Sequence, residues 1–537
     1  MDANSSESSH SVASQLLAWG LLALTTSAGL ALRSMPIGAS LWVDELHTAW
    51  TVSGGLDEVA ARAWIGNQSP LYFWGLWQWT SACGLSESML RLPSVLAGAA
   101  LIPLTYLFVA RATGSRMAAL LGAVVAALNP LGFEFSIEAR PYAWVQLLAL
   151  GHVLLLAELL RRRRPAAQDA KKTEATAAGG LAPLWLLRAG WIVCGVLLFH
   201  LHYTAALLLP AEAAAFVLVR MFDRRGVYGW TACAIDLALT AVGWLPAAGH
   251  LVEVGGRRDN WAMFVDHAPL WDSPLWFPWT HVVAWSAALL AATAAFRWLR
   301  GRRPLVRPVS LSTVLLVACW AAAPAIVAWT LNQTDIARLF FLRYLVVSIP
   351  APAAAVGLFC GASVGWARWL QLALLTPLAF VAAGLTLAGL QSGRLPVQPP
   401  NEDWRGAVQY ILDRQRSDTS PVFVDAGLIE ASQLPADDGA LQRYCLSVVT
   451  GIYRLDQPGR PLVALSLEGR PSPSATPRSS ELLTTGEAWV LVRGRRREAE
   501  SARAGVAAAL VEAGAPGDRI EVDTRRFPGV TVLRISW

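Results

Sequence analysis

The chain has 537 residues, of which 55% are hydrophobic and only 15% charged, and its mean hydropathy is +0.42. A soluble chain carries about 25% charged residues, so this composition excludes an ordinary soluble enzyme. The net charge of +6, from 44 Lys and Arg against 38 Asp and Glu, sits largely in short basic loops between apolar segments. That distribution is an orientation signal rather than a nucleic-acid footprint, so no nucleic-acid partner is expected. The 25 tryptophans suit the aromatic belts of a protein with many membrane spans.

From the N-terminus, Met1–Gln15 is polar and lacks a basic segment followed by a cleavage site. The first apolar stretch is therefore expected to remain as an anchor. Windows of about 20 apolar residues suffice to cross a bilayer as helix. Eleven such windows occur, at 12–33, 92–110, 117–133, 141–160, 183–201, 203–219, 230–249, 279–296, 309–331, 344–364 and 370–390. Pro70–Cys83 is also aromatic and apolar, but it is short and contains Gln78, which suits a helix lying in the interface.

Charge settles the direction. The stretches Arg111–Arg116, Arg161–Lys172, Arg220–Arg225 and Arg297–Arg307, with Arg368, hold 17 Lys and Arg on one side if Pro70–Cys83 does not cross. The opposite loops hold seven: Arg62, Arg91, Arg140, Arg257, Arg258, Arg338 and Arg343. The positive-inside rule then places the N-terminus in the cytoplasm and, with an odd number of spans, the C-terminal segment outside. Arg161–Gly180 reads as a low-complexity cytoplasmic linker.

Beyond about Leu395, Pro and charged residues become frequent and no further span-length apolar run appears. DWRGAVQYILDRQ and SARAGVAAALVEAG read as helices, and PVFVDA, GEAWVLVRG and VTVLRISW as strands. Their alternation predicts a small α/β domain at 395–537, following a membrane domain at 1–394 whose first external loop covers 34–91. Of six cysteines, Cys194, Cys233, Cys319 and Cys360 lie in apolar runs, and nothing in the sequence pairs Cys83 with Cys445.

Five polar clusters fall on the outward face. LWVDELHTAW places Asp44 and Glu45 just after the first span, between Trp42 and Trp50. They are either a solvated acid pair or a base at the membrane surface. Helical neighbours point about 100° apart, so the two acids would not address one substrate atom. NQSPLYFWGLWQW, with Gln68 and Tyr72, suits either a lipid-linked substrate at the interface or a packing helix. In FEFSIEARPYAW, Glu138 and Arg140 head a span and either anchor it or offer a guanidinium to a phosphate. FHLHYTAAL carries His200, His202 and Tyr203, whose spacing does not suit one metal ion. In NQTDIARLFFLRYL, Arg343 and Tyr344 open a span, where a cation needs a partner such as a phosphate, Asp335 or lipid headgroups.

Taken in order, VDE (43–45), SPLYFW (69–74), SESMLRLPSVLAG (86–98), EARPYA (138–143), HYT (202–204) and LRYL (342–345) resemble the GT-C superfamily of glycosyltransferases. The likeness is to the branch holding protein O-mannosyltransferases, aminoarabinose transferases and RgtA/B/C/D-like enzymes. EDWRGAVQYI (402–411) resembles the start of the external domain in RgtA-like members. One departure is Asn67-Gln68-Ser69-Pro70-Leu71, where family members commonly carry His or Lys before Pro-Pro-Leu.

The resemblance implies a polytopic α-helical GT-C fold of about 11 spans with external juxtamembrane helices. It also implies inverting sugar transfer at the exoplasmic face of the plasma (inner) membrane, from a polyprenyl-phosphate monosaccharide to a lipid, glycan or protein hydroxyl. Asp44 would be the base, with Glu45 orienting the loop or touching the acceptor. Arg140 and Arg343 would hold the lipid phosphate, and Tyr142 and His202 would add hydrogen bonds. Trp42, Gln68, Tyr72, Glu138 and Tyr344 would line the substrate region. No cofactor is implied with certainty, a divalent cation being the one candidate. Two alternatives are a transporter or flippase of lipid-linked glycans and a non-catalytic scaffold. A transporter more often carries charges within its spans, where this chain has few ionisable groups, such as His152, Glu158, Glu212 and Asp236, most of them near a cytoplasmic end.

Overall fold

The computed structural model describes residues 3–163, 183–223, 226–257, 265–272, 288, 291–292, 294–301, 309–363, 365–392, 402–436, 439–471, 479–494 and 496–537. The expected span at 279–296 lies largely outside the described residues, as do Arg258 and most of the Arg161–Gly180 linker. The first eight helices are α1 (Ala3–Ser34), α2 (Val43–Val52), α3 (Leu56–Ile65), α4 (Leu71–Cys83), α5 (Glu87–Thr113), α6 (Arg116–Leu128), α7 (Pro130–Glu134) and α8 (Tyr142–Arg161). The chain forms two compact units, one of Met1–Met35 with Ser94–Val397, the other of Pro36–Pro93 with Gln398–Trp537. Pro36–Pro93, which takes in most of the segment expected as the first external loop, thus belongs to the same unit as the C-terminal segment.

The first unit is a helical membrane assembly. Seven helices of the described chain are long and apolar enough to cross a bilayer: Ala13–Ser34, Glu87–Thr113, Tyr142–Arg161, Leu184–Leu201, Tyr203–Phe222, Trp230–Gly256 and Leu311–Gln333. Arg116–Leu128 and Val346–Ala362 are shorter apolar helices, and Trp366–Ser392 is a further long one. Without a hydrophobic drive between helices in lipid, close packing of small residues holds them together. A Cβ at Gly357 would lie 2.6 Å from Val109 Cγ2, and one at Gly122 would lie 3.3 Å from the Ala353 carbonyl oxygen. Several ionisable groups inside this unit are paired, as burial in apolar surroundings favours. His152 Nε2 meets Glu212 Oε2 at 2.9 Å, and Asp236 accepts from Arg188 at 2.7 Å and from the Tyr228 hydroxyl at 3.0 Å. Arg33, fully buried at the end of α1, donates to the Gly29 and Ala127 carbonyls and lies over the Phe133 ring.

The second unit contains a five-stranded sheet: β1 (Val422–Asp425), β2 (Leu462–Ala464), β3 (Glu487–Arg493), β4 (Glu521–Phe527) and β5 (Val530–Ser536), in the order β2-β1-β3-β5-β4. β1 pairs parallel with β2 and β3, starting from Val422 opposite Leu462 and Trp489, while β5 lies antiparallel between β3 and β4. The helices Trp404–Arg414 and Arg496–Glu512 pack with it, as the sequence led one to expect. Val490, Val492, Val506, Leu510, Leu533 and Ile535 form its core. Pro528 and Gly529 make the two-residue β4–β5 turn, where Gly529 takes a φ of 65° that a side chain would resist. α4 is 13 residues long, too short to span, and α2, α3 and α4 also belong to this unit.

Candidate functional site

In the membrane unit, three loop segments converge. Asn129 caps α7 through Oδ1, which accepts from Leu131 N and Gly132 N at 3.1 and 3.3 Å, and Pro130 supplies the first helical position. The chain then turns through Ser136–Arg140. The Ser136 hydroxyl donates to the Phe133 carbonyl, and the Ser94 hydroxyl donates to that of Arg140 at 3.1 Å. Pro141 is the residue before α8, so Tyr142 opens the helix one position later than the sequence suggested. His202 ends the helix Leu184–Leu201 with extended backbone, φ −160°, and its Nδ1 is 2.7 Å from the Thr204 hydroxyl. Arg343 lies in a single 3₁₀ turn, Leu342–Tyr344.

These segments bring the expected residues together. The Arg140 guanidinium stands 5.9 Å from the centre of the Tyr142 ring, Tyr142 lies 5.6 Å from the His202 ring, and His202 lies 6.3 Å from the Tyr344 ring. Arg140 and Glu138 are buried, whereas Arg343 and Tyr344 are partly exposed. Burial and the nearby Arg140 charge lower the His202 pKa to about 4, so its ring is neutral at pH 7.

The cluster also contains a group that sequence reasoning missed. Glu134 is 2% exposed and its Oε1 has no partner among the described residues. Burial and the neighbouring Glu138 carboxylate push its pKa up to about 8, with Arg343 opposing. The signal in the sequence was its place in FEFSIEARPY, four residues before Glu138. Gln146, one turn into α8, is likewise buried with neither amide atom bonded among the described residues. Such groups mark a place where a polar ligand atom or water is favourable.

Other expected neighbours diverge. His200 bonds the Gly243 carbonyl and Tyr203 bonds His250 Nδ1, while His202 is the member of the three that lies beside Tyr142 and Tyr344. Asp335 pairs with Arg338 at 2.7 Å and His267 at 3.2 Å.

In the second unit, α2 separates the two adjacent acids as helix geometry requires. Every residue of α2 is buried except Asp44, which is partly exposed. Glu45 is 1% exposed and grips Arg91, with Nε to Oε1 at 2.8 Å and Nη2 to Oε2 at 2.5 Å. Arg91 further donates to the carbonyls of Ile37, Ala39 and Ser40, so this ion pair fixes the chain that leads into α2. Trp42 and Tyr72 are buried, the latter edge-on to Phe73 on α4. Gln68 follows Asn67, which takes a left-handed φ of 58°, and its backbone N–H bonds the Ala63 carbonyl. The His47 ring bonds the Arg62 carbonyl, and a Cβ at Gly66 would strike that ring at 2.2 Å.

No protein-family model matches the sequence, and no curated protein is significantly similar to it. Solved structures do match. ArnT from Cupriavidus metallidurans in the apo state is 13% identical with a TM-score of 0.56, over 96% of this chain and 98% of that one. The same protein bound to undecaprenyl phosphate is 12% identical with a TM-score of 0.52, again over 96% and 98%. A looser likeness, with a TM-score of 0.43 and 12% identity over 89% of this chain and 70% of that one, is to the archaeal oligosaccharyltransferase AglB from Archaeoglobus fulgidus. At such low identity these likenesses speak for architecture alone: the chain has the fold of the two ArnT structures, in line with the fold expected from the motif order in the sequence.

Proposed function

We propose that the protein is an integral-membrane glycosyltransferase. It moves a monosaccharide from a polyprenyl-phosphate donor to an acceptor hydroxyl at the exoplasmic face of the plasma membrane, with inversion. The observation that supports this most is the convergence of Arg140, Tyr142, His202 and Tyr344 from three distant segments, with the Arg343 and Glu138 charges acting on Glu134 beside them. The cluster lies in a GT-C fold, and one ArnT structure with that fold holds undecaprenyl phosphate.

In this scheme Asp44 takes the proton of the acceptor hydroxyl as its oxygen attacks the anomeric carbon. The bond from that carbon to the phosphate oxygen breaks, and the lipid phosphate leaves with the electron pair. Arg140 and Arg343 carry the phosphate charge, as planar five-donor groups are suited to do. Neutral His202 and Tyr142 offer hydrogen bonds without adding charge. Glu45, sealed against Arg91, orients the loop and touches no substrate atom.

Binding of undecaprenyl phosphate to the purified protein in nanodiscs tests the phosphate role. The wild type is expected to bind saturably, and Arg140→Ala and Arg343→Ala to weaken binding by about 1.5–3 kcal/mol each, the worth of a charge-assisted hydrogen bond. Equal affinity in all three proteins would remove the two arginines from this role.

A further inference from the structure

The EDWRG segment at 402–406 lies near the start of the C-terminal segment of the second unit and carries a buried acid, Glu402. We propose that Glu402 is a positioning residue for Asp44, capping the helix that carries it; this rests on the reading of Asp44 as the base.

The need for a cap is written in the sequence. A helix leaves its first backbone N–H groups without intrahelical acceptors, and a side-chain oxygen at the position before the helix ordinarily takes one. α2 is preceded by Trp42, whose indole is a donor only and makes no cap bond. Glu45 turns back to accept from the Trp42 N–H at 3.4 Å. The next donor, Val43 N, is one residue before Asp44, and it donates to Glu402 Oε2 at 3.0 Å across 359 positions of sequence.

Glu402 is itself held rigidly. It is 2% exposed, its Oε2 also accepts from the Trp404 indole at 2.7 Å, and its Oε1 accepts from Arg493 Nε at 2.8 Å. Arg493 ends β3, the central strand of the sheet, so the capping carboxylate is tied to the stiffest element of the unit. A negative group at a helix N-terminus is also favoured by the aligned peptide dipoles. Neighbouring bonds reinforce the attachment: the Tyr453 hydroxyl accepts from Leu41 N at 2.9 Å, and Arg405 donates to the Gly38 carbonyl at 3.2 Å. The sheet domain therefore sets where the start of α2, and with it Asp44, is placed.

The test combines two readouts on the full-length protein in nanodiscs. In hydrogen exchange, Glu402→Gln is expected to speed exchange of the amides at the start of α2 while the β3 and β5 amides keep their protection. In transfer assays with undecaprenyl-phosphate monosaccharides and membrane-extract acceptors, kcat is expected to fall on the order of 10²-fold, the scale of a misplacement near 1 Å, with donor KM held. Unchanged exchange at α2, or a kcat that Glu402→Gln leaves at the wild-type value, overturns the proposal. Should Glu402→Gln not fold, Arg493→Gln, which removes one anchor of the carboxylate, carries the same expectations at smaller size. If the wild type transfers no sugar from any donor, the functional reading fails, and the exchange result alone decides whether Glu402 caps α2.

Discussion

Asp44 and Glu45 are adjacent, yet one is partly open and the other is closed over by a guanidinium. Removing a single member of a buried ion pair strands the other charge, which costs about 3–5 kcal/mol. Glu45→Gln is therefore expected to lower the stability of the protein by about 3 kcal/mol, read as a shift of denaturant unfolding in detergent. Asp44→Asn is expected to leave that midpoint in place and abolish transfer; a stability loss from Asp44→Asn equal to that from Glu45→Gln would contradict this division of roles. Glu134 makes a prediction in pH. Folded, it keeps its proton up to about 8, whereas unfolded it releases it near the ordinary 4.5. The folded state thus binds more protons in between, and stability falls as pH rises through that window. Glu134→Gln is expected to be more stable than wild type at pH 8 and equal to it near pH 4, measured as the unfolding midpoint at each pH. What was legible at this scale were residues with an evident chemistry, such as Arg140 and Arg343. The partner of Glu45 was hidden because Arg91 lies 46 positions away, and Glu134 because its burial depends on the whole fold.

Among elements, β1, β3 and β5 were readable as short apolar runs, since a buried strand is apolar on both faces. β4 was not. It is the edge strand, exposed along most of EVDTRRF, and polar residues there protect the edge rather than announce a strand. β2 has three residues, too few to carry a period. The join between β3 and its surroundings depends on Glu487, which is fully buried. Burial alone would raise its pKa, but the Arg416 N–H, the Ser420 hydroxyl and the Arg534 guanidinium together hold it below the ordinary value. Its contribution to stability is therefore present above the ordinary carboxylate value and is lost as pH falls through the lower folded value. Glu487→Gln is expected to weaken exchange protection of β3 and β5 at pH 7, with the difference from wild type narrowing below pH 4.5. Equal protection in both proteins at pH 7 would mean that the sheet does not rely on this carboxylate.

For the whole molecule, hydropathy exposed the membrane unit because a span must satisfy its backbone internally and present apolar surface outward. His152, Glu212 and Asp236 could be seen as ionisable groups in spans, but not their pairing, since Glu212 lies 60 positions from His152 and Arg188, which the sequence reading did not single out, lies 48 from Asp236. The excess of Lys and Arg on one side leads to the expectation that the C-terminal segment lies outside. In a Cys83→Ser background, Arg525→Cys on the exposed face of β4 is expected to react with a membrane-impermeant thiol reagent in intact cells whose outer barrier is opened. Labelling only after rupture of the plasma membrane would reverse the orientation. Sugar transfer itself is tested most directly by turnover of radiolabelled undecaprenyl-phosphate monosaccharides by purified protein in nanodiscs, with membrane extract as acceptor and wild type beside Asp44→Asn. The expected result is transfer by wild type from at least one donor and none by Asp44→Asn. Saturable donor binding without transfer or hydrolysis, identical in both proteins, would contradict a glycosyltransferase and favour a carrier of lipid-linked sugars.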